Sequence, residues 1–502
     1  GTHLPGQGSV VSTMVEQSVS HDSGMKGRGW DGDRLKRIRG NGKSTGDSAC
    51  QGLGLAPGSA ARRLGQQDTN RPKNLVEMEE RRSRALDAWI RMAEAGGHPL
   101  EMLQAELLPL LRPLGEHRAG WRLWGISQRF KDSGHVGVSE SLLKALLERF
   151  PDHEASSNAA RLLLASTVSG ERRWQRLRRT ARETAVVSNR IDPGQGVTRS
   201  ATLTQKGSVR VATGPDWRAE MTRVELDNSI QLARHLKKNA PRSYAAGSTQ
   251  LTLAALFRSR GSNRLADVCV GRLAGRPGDW RKVAKQELWL GTRSGNPPAV
   301  TTTCTVALKR PIVDGVISDR CWEMGQEMRL KSTTRTLDSA ANGFVVAAGD
   351  AEYFYVAARL ERPEPSRCVP SQVRGHDADH TGFDRLTIFL DVDRDYQTGY
   401  ELTIDERGEV SEACGGDPSW NPRCVVAIDS DEKVWRLELA IPWSEMVPRR
   451  PPAGSHWGLR LVRTMPAVGW QGWGGGVDQR GAPTVGAGFL SFGGNGGRRR
   501  RR

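Results

Sequence analysis

The chain has 502 residues, with 74 Lys and Arg against 56 Asp and Glu, a formal charge of +18, and 37% hydrophobic residues. That length predicts two or three domains, each able to bury a core, and seven cysteines are too few for a disulfide-built scaffold. No apolar run reaches the length of a bilayer span, so no transmembrane segment is expected.

The charge is unevenly placed. By count residues 301–497 carry about −6, residues 1–300 about +19, and the Arg498–Arg502 run the remainder. An anionic partner would therefore have to meet the first 300 residues.

Residues 1–73 are rich in Gly, Ser, Arg and Gln without apolar periodicity and are expected to be disordered. Within them Gly40-Asn41-Gly42-Lys43-Ser44-Thr45 mimics the end of a phosphate-binding loop. Arg37 stands where that loop needs its first Gly, and no strand precedes it.

From 74 to 186 the period is helical. Leu86, Trp89, Ile90 and Ala93 share one face, and Leu103, Leu107 and Leu111 another. SESLLKALLERFPDHEASSNAARLLLAS reads as a helix, a Pro-containing turn and a second helix, and it resembles a tetratricopeptide-type hairpin. An irregular α-solenoid is expected, which the resemblance casts as a protein-interaction region.

Gly and Pro break the helices over 187–216. Helical pattern returns at 217–238 and 249–290, where Gly-Arg-Pro-Gly marks a turn between two helices. Residues 291–303 read as a linker. The basic stripes WQRLRRTARET and RHLKKNAPR lack interleaved aromatics, so they are read as solvated helix faces and no nucleic-acid partner is expected. The terminal Arg run reads as a tail.

From Pro311 the pattern turns to strands. PIVDGVISDRCW predicts an edge strand, a turn and an aromatic plug entering a β-sandwich core. GFVVAAGDAEYFYVAARL, DRLTIFLDVDRDYQTGYELTIDERG, KVWRLELAIPWSEM and GSHWGLRLVRT then alternate as half-buried strands should. In this order, residues 302–493 resemble the family 9 carbohydrate-binding module, an antiparallel β-sandwich. The fold class expected is thus α plus β: a helical, solenoid-like half followed by a sandwich.

The resemblance implies a polysaccharide or oligosaccharide ligand, gripped between two tryptophans with acidic and amide partners. Flat aromatics suit the apolar face of a pyranose. Trp420, Trp470 and Trp473 lie in Gly-, Pro- and Asn-rich sequence and are the candidates for sugar contact, whereas Trp322, Trp435, Trp443 and Trp457 read as core. The chain departs from the family in two places. RGHDADHTGF offers no tryptophan for the earlier platform, and Thr387 stands where the family carries Glu. A different glycan, or none, follows from that loss.

Asp391, Asp393 and Asp395 alternate at a hairpin tip and could ligate calcium, which modules of this type hold structurally; a solvated acidic turn is the alternative. Tyr396 and Leu402 rule out an EF-hand loop. His376, Asp377, Asp379 and His380 offer a second cluster, either for a transition metal or as a solvated loop. Cys414 and Cys424 flank a short loop that a disulfide could close, as could Cys304 and Cys321. Such bridges would require an oxidising compartment, extracellular or periplasmic. The chain begins at Gly1, so a missing leader says nothing about compartment.

Neither G-x-S-x-G nor H-E-x-x-H is present, and no carboxylate pair stands out for glycoside hydrolysis. With no catalytic motif beside it, the resemblance implies a non-catalytic carbohydrate-binding protein linked to polysaccharide recognition or breakdown. The alternatives are a glycosidase-associated protein acting on O-glycosyl bonds and a purely structural interaction protein.

Overall fold

A computed structural model describes residues 73–94, 100–189, 215–292, 294–332, 341–364, 368, 377–475 and 485–493. Of the segments expected to be disordered (1–73) or to break the helices (187–216), residues 1–72 and 190–214 lie outside the described residues, as do the phosphate-loop mimic, His376 and the Arg tail, whereas 73, 187–189 and 215–216 are helical.

A first compact unit, Gly1–Gly96, contributes helix α1 (Lys73–Glu94), whose Leu86, Trp89 and Ile90 are buried. All else belongs to the second unit, Gly97–Arg502. It opens with α2 (Leu100–Leu111), α3 (Glu116–Asp132), α4 (Val136–Arg149), α5 (Glu154–Val168) and α6 (Gly170–Asn189). Next come α7 (Pro215–Asn239), the short α8 (Pro241–Ala245), α9 (Gly247–Ser259), α10 (Asn263–Ala274) and α11 (Trp280–Thr292).

Helix α4 packs on α3 and α5, α5 on α7 and α9, and α10 on α9 and α11. The α4–α5 pair is the expected hairpin, turning at Phe150-Pro151. Its second helix is capped by His153, whose Nδ1 accepts the Ala155 amide at 3.0 Å.

The strands are β1 (Thr301–Val306), β2 (Met328–Arg329), β3 (Lys331–Ser332), β4 (Gly343–Gly349), β5 (Tyr353–Glu361), β6 (Arg385–Asp391), β7 (Tyr400–Asp405), β8 (Val410–Cys414), β9 (Val425–Ser430), β10 (Val434–Pro442), β11 (His456–Met465), β12 (Gly469–Trp473) and β13 (Gly488–Phe492). Two layers meet at β1, which pairs in parallel with β13 through Thr301–Cys304 and with β4 through Thr305–Val306. The first sheet runs β8-β7-β6-β11-β13-β1, with β12 also on β11; the second runs β1-β4-β5-β10-β9.

Alternation does the rest. Leu386, Ile388, Leu390, Leu402 and Leu461 of the first sheet meet Val345, Val356, Leu437, Leu439 and Ile441 of the second in one buried core. Each such side chain contributes about 1.5–3 kcal/mol.

Inside the sandwich one ion pair is sealed off. The Arg463 guanidinium, fully buried, donates from Nε to Asp384 Oδ1 at 3.0 Å and from Nη2 to Oδ2 at 2.5 Å. It also donates to Glu361 O at 2.7 Å and to Gln471 Oε1 at 3.3 Å, and Trp435 Nε1 adds a bond to Asp384 Oδ2 at 2.9 Å.

The PIVDGVISDRCW motif folds otherwise than its sequence predicts. Residues 311–319 form no strand, and the first strand is β1, just upstream. Trp322, on a helical turn (α12, Arg320–Glu323), covers the outer face of the second sheet with Val346, Ala348, Tyr355 and Ala440, and so stays out of the inter-sheet core. The reason is Glu438, buried on that face. Its Oε2 accepts the Asp314 and Gly315 amides at 3.0 and 2.8 Å, and Oε1 accepts Trp322 Nε1 at 2.8 Å. One carboxylate thus satisfies three donors of a loop that would otherwise pair as an edge strand. Gly315 is required there: its φ is +91°, and an added Cβ would lie 2.7 Å from the Asp429 amide nitrogen.

The expected disulfides do not form. Cys304 faces the inter-sheet core while Cys321 lies on the opposite face of the second sheet. Cys414 ends β8 in one sheet and Cys424 precedes β9 at the far edge of the other, and no bridge joins them. The oxidising compartment those bridges implied loses that support.

Candidate functional site

The outward face of the first sheet presents rungs of side chains across the strands. The pairing register puts Trp470, Thr464, Arg385 and Asp405 on one rung, and Val462, Thr387, Thr403 and Ser411 on the next. Trp470 is half-buried there, and Thr387 and Thr403 share a hydroxyl hydrogen bond of 2.9 Å. One rung further, the Arg460 guanidinium lies 4.5 Å over the Phe389 ring, beside Glu401 and Ala413.

Trp473 is three residues from Trp470 on the same strand, so its side chain takes the opposite face. It pairs with Leu461, packs against the inter-sheet core and lies over Gly488, where an added Cβ would meet the indole at 2.7 Å. Trp420 is 5% exposed, with its ring 4.4 Å from that of Tyr400. Two of the three candidate indoles thus pack against protein: Trp420 lies against the Tyr400 ring, and the partly buried Trp473 lies against the inter-sheet core. Trp470 alone of the three keeps a side chain on the outward face.

Below the first rung, His380 Nδ1 faces Asp405 Oδ2 at 3.0 Å and Nε2 faces Ser411 Oγ at 3.0 Å. With both ring nitrogens engaged, His380 has none for a metal, so the second cluster read from the sequence is not assembled as one. Although burial pushes the Asp405 carboxyl up, the bonds from His380 and Arg407 outweigh it and hold the group below its usual range.

The acidic hairpin tip is not solvated. Asp391 and Asp395 are buried, as is Glu171 from the first turn of α6. Carboxylate oxygens of Glu171, Asp391 and Asp393 lie within 4.8 Å of one another. Glu171 was invisible to sequence spacing, since it stands more than two hundred positions upstream. Asp395 turns to other work: Oδ1 accepts the Gln397 and Thr398 amides at 2.7 and 2.8 Å, and Oδ2 accepts the Thr398 hydroxyl.

The helical array grips this loop from two sides. Gly170 N donates to Asp393 Oδ2 at 2.7 Å, Val392 N donates to Glu171 Oε1 at 2.6 Å, and the positive end of α6 faces the carboxylates. From α9 and α11, Arg258 and Glu287 reach the same turn. Arg258 Nη2 donates to Asp393 O at 2.8 Å, and Glu287 accepts from Arg394 Nε at 3.0 Å and Tyr396 Oη at 2.6 Å.

Burial, then the mutual repulsion of the carboxylates, raises Glu171 and Asp391 well above their ordinary values and pushes Asp395 up to about 8. Glu287 is held low despite burial because Arg394 and Arg258 flank it.

The basic stripe of α6 also docks onto the sandwich and is not a solvated face. Arg178 Nη2 lies 2.5 Å from Glu445 Oε2, Trp174 Nε1 donates to Ser444 O at 3.1 Å, and Arg179 Nη2 donates to Ser419 Oγ at 2.8 Å.

No helix among the described residues is long and apolar enough to cross a membrane. No protein-family model matches the chain, and no curated protein matches it. Among solved structures, a family 9 carbohydrate-binding module from Caldicellulosiruptor kristjanssonii in complex with cellotriose is 15% identical with a TM-score of 0.30, spanning 40% of this chain and 97% of the module. The same module with glucose aligns over 40% and 100%, at the same identity and TM-score. A candidate carbohydrate-binding protein from Bacteroides uniformis is 11% identical over 39% of this chain and 99% of its own, also at 0.30.

Proposed function

We propose that the sandwich is a non-catalytic glycan binder whose contact surface is the outward face of its first sheet. Trp470 is the stacking platform, and the hydroxyls of Thr464, Thr387 and Thr403 face the sugar. The observation that carries this reading is the placement of Trp470: Trp435, Trp443 and Trp457 are buried in the sandwich, while this indole stays half-buried on a face of polar rungs. Covering the apolar face of a pyranose with that indole contributes about 25 cal/mol per Å² of apolar surface removed from water, the anchor for one ring of a polysaccharide or oligosaccharide.

In this reading the helical array carries the sandwich rigidly and offers its remaining surface to a protein partner. The Glu171–Asp391–Asp393 cluster holds a structural calcium ion, for which an all-oxygen donor set is suited.

Affinity electrophoresis of the full chain over a panel of soluble polysaccharides tests the sugar site. Retention on at least one of them should disappear in Trp470→Ala with no change in melting temperature, and no reducing sugar should be released. A Trp470→Ala protein retained as strongly as its parent would remove this face from consideration.

A further inference from the structure

The hydrogen bonds of His380 have a direction. Asp405 is fully buried and held in its ionised form, so its Oδ2 can only accept, and the proton on the 3.0 Å contact belongs to His380 Nδ1. In the neutral imidazole Nε2 is then the lone-pair side, and the Ser411 hydroxyl 3.0 Å away donates to it. Hydroxyl, imidazole and carboxylate thus stand in series, the order in which a serine nucleophile, its base and the group that orients the base are arranged.

Two neighbouring strands and the loop before β6 hold the three residues. Asp405 ends β7 and Ser411 stands half-buried on the outward face of β8, where it lines a cavity of about 300 Å³ beside Ala413 and Pro418. The His380 carbonyl accepts Arg385 Nη1 at 3.1 Å and the Phe383 amide at 3.2 Å. Asp405 is fixed from behind: Arg407 Nη2 donates to Oδ2 at 2.6 Å, and the Arg407 and Glu409 amides donate to Oδ1 at 2.9 and 3.2 Å. Directly opposite Ser411 on β7 is Thr403, with Cβ atoms about 5 Å apart. Thr403 and Thr387 use one hydroxyl proton between them, which leaves the pair a second proton to donate.

We propose that Ser411, His380 and Asp405 hydrolyse acyl esters carried on sugar hydroxyls, so that O-acylated polysaccharides are the substrate class. His380 Nε2 takes the Ser411 proton as Oγ bonds to the acyl carbon and the carbonyl electron pair moves onto oxygen, where the spare hydroxyl proton of the threonine pair meets the charge. The carbonyl re-forms, the bond to the sugar oxygen breaks, and that oxygen takes the proton from Nε2. Water then repeats the sequence on the acyl–serine: its proton goes to Nε2, its oxygen to the acyl carbon, and Ser411 leaves with the proton, freeing a carboxylic acid. Asp405 touches no reacting atom and acts as a positioning residue. Glycosidic bonds stay intact, so this activity goes beyond the binding role. Ser411 lies four strands from β12 and one rung from that of Trp470, roughly 20 Å away, which suits a chain stacked at one end and deacylated several rings along. The sugar half of the inference rests on the glycan-binding reading of that face; the triad does not.

The test gives the full chain p-nitrophenyl acetate, O-acetylated xylan and water-soluble cellulose acetate, and reads nitrophenolate and acetate release. A fluorophosphonate, which phosphonylates activated serines, is applied in parallel. The nitrophenyl ester and at least one acetylated polysaccharide should be turned over, and the phosphonyl group should map to Ser411 by peptide mass. Ser411→Ala should abolish that label and lower hydrolysis about 100-fold or more at unchanged melting temperature, and His380→Gln should lower it by a similar factor. In Asp405→Asn the midpoint of the pH–rate profile should move to lower pH, because the imidazolium loses its carboxylate; a merely structural Asp405 would leave the midpoint in place. An unlabelled Ser411, or hydrolysis undiminished in Ser411→Ala, overturns the triad and leaves the glycan face standing. Turnover of the nitrophenyl ester alone, by a chain that still retains polysaccharide, overturns the substrate class. If no polysaccharide is retained or deacetylated, the glycan reading falls and the substrate class with it.

Discussion

Replacing Asp384 by Asn tests how the sandwich is held behind its outward face. The carboxylate receives two donors of Arg463 and the Trp435 indole, and the Arg463 side chain has no exposed surface. Asparagine keeps the shape but removes the charge, and its amide turns a donor toward a guanidinium that cannot give up its proton. An uncompensated buried charge of this kind costs about 3–5 kcal/mol. The Gln471 and Glu361 oxygens still accept from Arg463, which places the expected loss near the lower end. Urea unfolding followed by tryptophan fluorescence would read the change. Removing both charges in Asp384→Leu with Arg463→Met should cost less than the sum of the single changes, because the second substitution discharges the penalty the first creates. If Asp384→Asn costs under about 1 kcal/mol, or if the two costs simply add, the pair is not sealed from water and the reasoning fails.

Glu438→Ala should destabilise by about 3 kcal/mol, since three donors of the 314–322 loop lose one acceptor; denaturant unfolding checks it, and a loss below ~0.5 kcal/mol would show that water replaces the carboxylate. Trp420→Ala should cost about 3–5 kcal/mol, as for any large ring removed from a core, and a near-neutral result would mean the indole is a surface group. At the helix–sandwich junction the raised carboxyls bind protons more tightly when folded than when unfolded. The cation-free protein should therefore be most stabilised by them below ordinary carboxylate values and lose that stability as pH rises toward about 8. Calcium should restore what is lost, so the shift in melting temperature between calcium and chelator should be larger at alkaline than at acid pH, and smaller in Glu171→Gln. A shift independent of pH would detach the ion from this cluster.

The alternating strands were legible because period-two patterning is local, and β4 through β7, β10 and β11 fall on the segments where it is strongest. The same rule carried a finer lesson than was taken from it: two tryptophans an odd number of residues apart on one strand cannot share a face, which separates Trp470 from Trp473 without coordinates. Trp420 was misread because glycine and proline around it suggested a surface loop, whereas Tyr400 and the Glu445 carbonyl close over it. Composition describes the backbone's freedom, not what a side chain packs upon. Glu171 and Glu287 escaped for a different reason. Their partners on the hairpin lie more than a hundred positions away in the chain, and nothing in helical periodicity marks an acidic residue that a distant hairpin will bury.

That burial changes what the boundary near residue 301 means. In covalent order a helical segment ends and a sandwich begins, and the basic α6 stripe reads as a solvated helix face. In the fold that face meets the sandwich. Arg178 answers Glu445, a side chain with no exposure of its own, and Arg258 and Glu287 satisfy the turn on which Arg394 and Tyr396 both adopt positive φ. A sandwich cut free at that point would keep its inter-sheet core but leave Glu445 without Arg178 and Arg394 without Glu287. The strands that carry Thr387 and Thr403 flank the gripped hairpin directly. The outward face is therefore positioned by the helices as well as by the sheet behind it, and the second unit's helical and β parts fold as one object rather than as a module on a tether.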